Sequence, residues 1–342
     1  MTASPSFRRP VTALLLLAPV VAEVLFGATR LTTVFVLPVQ IGAWGCGALL
    51  VREVACRRRL NPAGIWLLAL ALALAEECLI QQTSFWPLVG ADLHHLYGRA
   101  GGVNWVYLLW ALGYESIWAV VIPIQLAELL YPQHRDVPWL GRRGLMIAAI
   151  AFIVAALAAW FSWTRVFVPK YFPGGVYEVP RDAFFGAGLV LIALVTVGIK
   201  SSRSPAPSKR RLPPPRPLAV LGVAFALALP WFGLVFLAYG ARPELPPAIA
   251  LAGGLILAAG AGVVFGKWSR RDGWADRQRL AAGGGALGAS MLVGFAILKL
   301  GQAGRIDVVG KLILNLIAVA CLIRVARRLP GQTHAVPPPA VR

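Results

Sequence analysis

The sequence predicts an all-α fold: a polytopic transmembrane helical bundle of about ten spans, with both termini cytoplasmic. Three observations predict it. The chain is 58% hydrophobic and only 14% charged, with a mean hydropathy of +0.71, a composition that soluble domains do not show. Its apolar residues gather into segments at 11–27, 33–55, 63–82, 103–131, 144–163, 183–199, 217–239, 246–266, 280–299 and 306–324. Most approach the roughly 20 residues that a helix needs to cross a hydrocarbon layer of about 30 Å. Finally, the 33 lysines and arginines sort by gap. Twenty-three fall at the N-terminus, in every second gap and in the C-terminal tail, including Arg57, Arg58 and Arg59, Arg142 and Arg143, and Arg270 and Arg271. Seven fall in the other gaps, and Arg52, Lys299 and Lys311 lie within segments. That bias is the positive-inside pattern.

The same placement interprets the net charge of +19. No basic soluble domain is present to bind nucleic acid. The charge reads instead as topology, and the expected partners are the lipid bilayer and anionic lipid at the cytoplasmic face. Cys46, Cys56, Cys78 and Cys321 show neither metal-ligand spacing nor a disulfide framework. No cofactor and no metal site is expected from sequence spacing.

Segment one has a basic start and a Leu-rich core, features shared with signal peptides, and it reads here as a span. It carries Glu23 four residues after Pro19, which frees a carbonyl and can kink the helix. Glu23 and Arg30 are seven residues apart, a spacing that allows a pair at the outer surface. Segment two holds Gly42 and Cys46 at small-xxx-small spacing. It ends in Arg52 and Glu53, which read as a snorkelling interfacial anchor. Segment three carries Glu76 and Glu77 in its outer half, followed by Gln81, Gln82 and Ser84. Neighbouring helical positions point about 100° apart, so Glu77, aligned with Gln81 and Ser84, is the better placed for a polar pocket. A carboxylate at this depth costs roughly 3 kcal/mol or more unless it finds a partner, a proton or water.

The following outer loop, 83–102, contains His94, His95 and Arg99, possible partners for the carboxylates. Segment four places Glu115 mid-span beside an aromatic stripe of Tyr107, Trp110, Tyr114 and Trp118, and Glu128 near its inner end. Segments eight and nine contain Gly262 with Gly266 and Gly284 with Gly288, spacings that suit helix packing. Segment ten holds Lys311 and Asn315. The organisation is a six-span half, 1–199, a basic Pro-rich cytoplasmic linker, 200–216, a four-span half, 217–328, and a disordered tail, 329–342.

Glu23, Glu76, Glu77 and Glu115 belong to segments one, three and four, at mid-depth or outward. Intramembrane ionisable residues are functional candidates by default. They imply a carboxylate cavity open to the outside, lined also by Gln81, Tyr114 and Trp118, in which at least one carboxyl holds a proton. The ligand is a small molecule, an ion or a peptide. Three functions fit: a proton- or cation-coupled transporter or permease, an intramembrane peptidase or its inactive descendant, and a structural or partner-binding membrane protein.

Two resemblances enter at these residues. The run from segment one through GVNWV, Tyr114-Glu115 and AELLYP to GRRGL resembles a family of uncharacterised bacterial multi-pass membrane proteins, over roughly the first 145 residues. That implies the bacterial inner membrane and no known activity. ALAEECLIQQ resembles the Glu-Glu-x-x-x-Arg motif of the CAAX-processing and bacteriocin-processing intramembrane endopeptidases. That resemblance implies a glutamate that activates water for peptide hydrolysis, with Phe-x-x-x-His and His-x-x-x-Asn on later helices. Glu76 and Glu77 match, Gln81 stands at the arginine, and Glu115 stands where a histidine is wanted. His94, His95, His134 and His334 all lie outside the segments.

The topology is testable in a chain whose native cysteines are replaced. In intact cells, a membrane-impermeant maleimide should label Ala241→Cys and Gln302→Cys. Arg58→Cys and Asp272→Cys should react only after permeabilisation. The opposite pattern reverses the orientation.

Overall fold

The computed structural model describes residues 7–86, 97–171, 179–201 and 212–329. Most of the basic linker, the tail from residue 330 and the His94–His95 pair lie outside the described residues. Helix α1 spans Arg8–Pro19 and continues as a π-helical turn, Val20–Val24. The helices that follow are α2 (Leu31–Arg57), α3 (Pro62–Ile80), α4 (Trp105–Leu130), α5 (Arg142–Lys170), α6 (Arg181–Lys200), α7 (Pro217–Ala238), α8 (Pro247–Trp268), α9 (Asp276–Leu300) and α10 (Arg305–Arg328). A short hairpin, β1 (Arg99–Ala100) paired with β2 (Val103–Asn104), leads into α4.

Among the described residues, nine helices, α2 to α10, are long and apolar enough to cross a membrane, where the sequence suggests about ten. The difference is α1. Its 12 α-helical residues and 5 π-helical residues rise at most about 25 Å, short of a hydrocarbon layer of about 30 Å. The apolar run goes on to Gly27, but the helix does not. The π turn follows directly on Pro19, and Gly27 adopts φ +93, a conformation that glycine takes without strain. This break also separates Glu23 from Arg30. Glu23 accepts from Thr29 Oγ1 at 3.3 Å, while Arg30 donates to the Gly301 carbonyl at 2.8 Å.

The bundle has a centre and a rim. The main core joins α1, α4, α7 and α9, and so draws on both ends of the chain. The most apolar window is 61% buried in α4 and 56% buried in α9, against 17%, 6% and 11% in α5, α6 and α8. The rim helices expose Ile150, Leu189 and Ile256, apolar surface that a bilayer would cover.

Packing follows the small residues, though not at the pairs the spacing suggests. A Cβ on Gly262, Gly266 or Gly284 would meet nothing within 4 Å, and one on Gly288 would only touch Phe225, at 3.6 Å. Helix α8 is peripheral, so its glycine pair has no neighbour to receive. On α9 the close approach belongs to Gly285, which sits beneath the Leu221 carbonyl of α7. Gly42 does lie against a neighbour, Ala155 of α5. Helices α3 and α6 meet where a Cβ on Gly64 would lie 2.9 Å from the Gly198 carbonyl oxygen.

Arg52 and Glu53 are not a snorkelling anchor. They are 2% and 0% exposed and pair at 3.0 Å. The Arg52 guanidinium lies 3.7 Å from the centre of the Trp139 ring and donates to the carbonyls of His134, at 3.0 Å, and Arg135, at 2.8 Å. Glu53 also accepts from the Trp139 backbone N–H at 2.6 Å and from Arg57 Nε at 3.3 Å. Glu128 stands 3.8 Å from Arg52. The segment after α4 therefore folds back over the end of α2 and closes its charges in. Arg135 goes on to pair with Asp276, at the start of α9, at 2.9 Å.

This arrangement predicts unequal costs. Glu53→Ala leaves the Arg52 cation buried without its carboxylate and should cost about 3–5 kcal/mol. Arg57→Ala removes a half-exposed partner and should cost less than about 1 kcal/mol. Unfolding midpoints in detergent measure both, and equal costs would refute a buried network.

Candidate functional site

In hydrocarbon a helix must satisfy its own backbone. A π-helical turn keeps i→i+5 bonds while widening the helix, and such turns are frequent at functional sites. Among the described residues they occur at Val20–Val24, Ile41–Gly45, Ala75–Ile80, Glu115–Val121 and Ser162–Phe167. Three of the five contain the intramembrane glutamates: Glu23, the Glu76–Glu77 pair and Glu115. The turns at Val20–Val24 and Ile41–Gly45 both pack on the one at Glu115–Val121.

The result is a trio. One carboxylate oxygen each from Glu76, Glu77 and Glu115 lies within 4.8 Å of the others. The three residues are 5%, 3% and 7% exposed. The widened turn of α3 lets adjacent Glu76 and Glu77 both face α4, where regular α-helical spacing favours Glu77 over Glu76. Helix α3 ends at Ile80 because Gln82 adopts a left-handed φ of 62. The chain then folds back through a 3-10 turn, Thr83–Phe85, and Ser84 Oγ donates to Glu77 Oε2 at 2.8 Å. Arg99 and Asn104 hold this fold-back in place. Arg99 donates to the Phe85 carbonyl at 2.7 Å, and the Asn104 amide donates to the Trp86 carbonyl.

What the trio lacks is a fixed counter-charge. Glu115 Oε2 is buried with no hydrogen-bond partner. Among the described residues, the ion pairs lie in the Arg52–Glu53 network and at Asp276. Three carboxylates packed this closely out of water do not all stay ionised unless a cation joins them. Glu23 is not one of the three that meet within 4.8 Å; it is partly buried and accepts from Thr29.

The remaining sequence candidates fall differently. Gln81 lies at the end of α3, where its backbone N–H bonds the Glu76 carbonyl at 2.8 Å. Tyr114 and Trp118 form part of a ring stack. Tyr114 is 5.1 Å from Trp110 and 5.4 Å from Trp118, with Phe232 of α7 set edge-on. The Tyr114 hydroxyl donates to the Ala22 carbonyl and Trp118 Nε1 to the Ala286 carbonyl at 3.2 Å, so both polar handles go to neighbouring backbones. His134 packs its ring against Phe7 at 5.1 Å.

A second buried polar group was hard to see in the sequence. Lys311, 3% exposed, donates to the Leu25 carbonyl. With its amide oriented to satisfy both neighbours, Asn315 accepts from Lys311 at 3.2 Å. Asp307 accepts from the Thr32 N–H and hydroxyl at 3.1 Å. The signal was a lysine and an asparagine four residues apart in an apolar run; the missing fact was that the 25–32 turn lies against them. A small cavity beside them is lined by Thr29, Arg30, Asp307 and Lys311. A larger apolar one is lined by Leu79, Phe152 and Trp160. Neither touches the trio.

Comparison with known proteins places the trio inside a recognised segment. Residues 13–171 match the model of an uncharacterized membrane protein family. No curated protein and no solved structure matches the chain. The peptidase resemblance therefore rests on Glu76 and Glu77 alone.

An uncompensated buried carboxylate should be a stability cost. Glu115→Gln keeps the shape and removes the charge, so it should raise the unfolding midpoint in metal-free detergent. A fall of the size given by Glu53→Ala would mean that the Glu115 carboxylate is a structural bond instead.

Proposed function

We propose that this multi-pass membrane protein is a proton- or cation-coupled transporter, with Glu76, Glu77 and Glu115 as its coupling site. The observation that carries the reading is the buried trio with an orphaned oxygen on Glu115. A group of carboxylates kept without a fixed counter-charge is suited to taking up and releasing protons or cations. Stability alone would favour an apolar replacement or a permanent ion pair. Burial on every side is the expected appearance of an alternating-access site in its closed state, with access supplied by rocking of helices around it. A peptidase would need a water and a peptide beside the same glutamates. The charge bias of the gaps supports a cytoplasmic C-terminus, and the family resemblance supports a bacterial inner membrane.

Proteoliposomes loaded with a pH-sensitive dye test this reading. Gradients of sodium, potassium, magnesium, calcium and manganese are imposed in turn. The wild type should move protons against at least one ion, and Glu77→Gln should slow that movement at least tenfold. Equal rates in wild type, Glu77→Gln and Glu115→Gln would overturn the assignment of the coupling site. No ion-driven proton movement in the wild type would overturn coupled cation transport.

A further inference from the structure

We infer that Glu76, Glu77 and Glu115 form a binding site for a hard divalent cation, of which calcium has the best-fitting size. The inference rests on reading the trio as the coupling site, and it names the ion. Two observations support it. The first is spacing. Three oxygens no more than 4.8 Å apart leave a central point about 2.8 Å or less from each. Calcium takes oxygen ligands at about 2.3–2.6 Å, so the side chains need to close by only a few tenths of an ångström. Magnesium, at about 2.0–2.1 Å and strictly octahedral, demands a larger contraction and holds its waters more tightly.

The second observation is the orphaned Glu115 Oε2, on a side chain that is 7% exposed. Buried polar atoms are almost always satisfied, and a carboxylate oxygen left bare in a dry bundle is a vacant acceptor. The donor set then decides the class of ion. All three ligands are carboxylate oxygens, which select calcium, magnesium or manganese over the softer metals that take sulfur or imidazole. Three negative charges outweigh what a single monovalent ion neutralises. Ser84 Oγ, already 2.8 Å from Glu77 Oε2, orients one ligand from the next shell. The absence of metal-ligand spacing in the sequence is no objection. The three ligands come from two helices, each widened where it carries them.

The test is equilibrium binding of calcium to the purified full chain in detergent after chelator treatment, with no membrane and no gradient. The wild type should bind one calcium per chain, saturating by about 1 mM, the weak end of the range for calcium modules. Glu77→Gln and Glu115→Gln should each weaken binding at least tenfold, while Glu244→Gln, in an exposed outer turn, should match the wild type. Since a trio variant can fail to fold, a second readout uses the wild type alone. Calcium should protect Glu115 from a hydrophobic carbodiimide, as mapped by mass spectrometry, and sodium at equal ionic strength should not. No saturable calcium binding, or binding unchanged in folded Glu77→Gln and Glu115→Gln, overturns the inference. Calcium binding without ion-driven flux keeps the site and removes transport. Flux without calcium binding keeps transport and removes calcium.

Discussion

A helix in hydrocarbon has no water to complete its backbone bonds, so each span must satisfy itself. The departures from regular helix in this chain obey that constraint. At Val20–Val24, Ala75–Ile80 and Glu115–Val121 the helix widens instead of breaking. Widening keeps the backbone bonded and changes where side chains point. Adjacent Glu76 and Glu77 can then both meet Glu115. The carboxylate trio depends on this compromise between backbone satisfaction and side-chain direction.

Glu53 and the carboxylate trio show opposite solutions to one electrostatic problem. Glu53 accepts from Arg52, Arg57 and the Trp139 backbone, so its charge is compensated where it lies. The trio has Ser84 on Glu77 and a bare oxygen on Glu115. A compensated carboxylate at 0% exposure fixes structure. An uncompensated one retains the capacity to bind. The contrast within one molecule argues that this chain can bury an acid stably and that the trio is different in kind.

The fold class was legible because apolar length and charge bias are properties of segments, and each survives small errors in boundary. The glutamates were legible too, because an acid in an apolar run stands out whatever its orientation. What the sequence hid were the directions. Regular helical geometry separates Glu76 from Glu77 and puts Glu23 and Arg30 on one face. A widened turn and a glycine break undo both. Arg52 looked interfacial because the residues that enclose it, 134–139, lie more than 80 positions away. The glycine pair on α8 failed for the converse reason: spacing shows that a helix can be approached, not that anything approaches it.

Gly113 gives the bundle a keyway. The indole of Trp231, from α7, occupies the space where a Cβ on Gly113 would stand, and its Nε1 bonds the Trp110 carbonyl at 3.3 Å. A ring seated in the groove of α4 sets how far that helix can turn about its own axis, and Glu115 is two residues further on. The bearing of a carboxylate inside the recognised segment, 13–171, is thus indexed by a tryptophan outside it. The later helices bear on the site through a ring seated in a groove and not only as a wall.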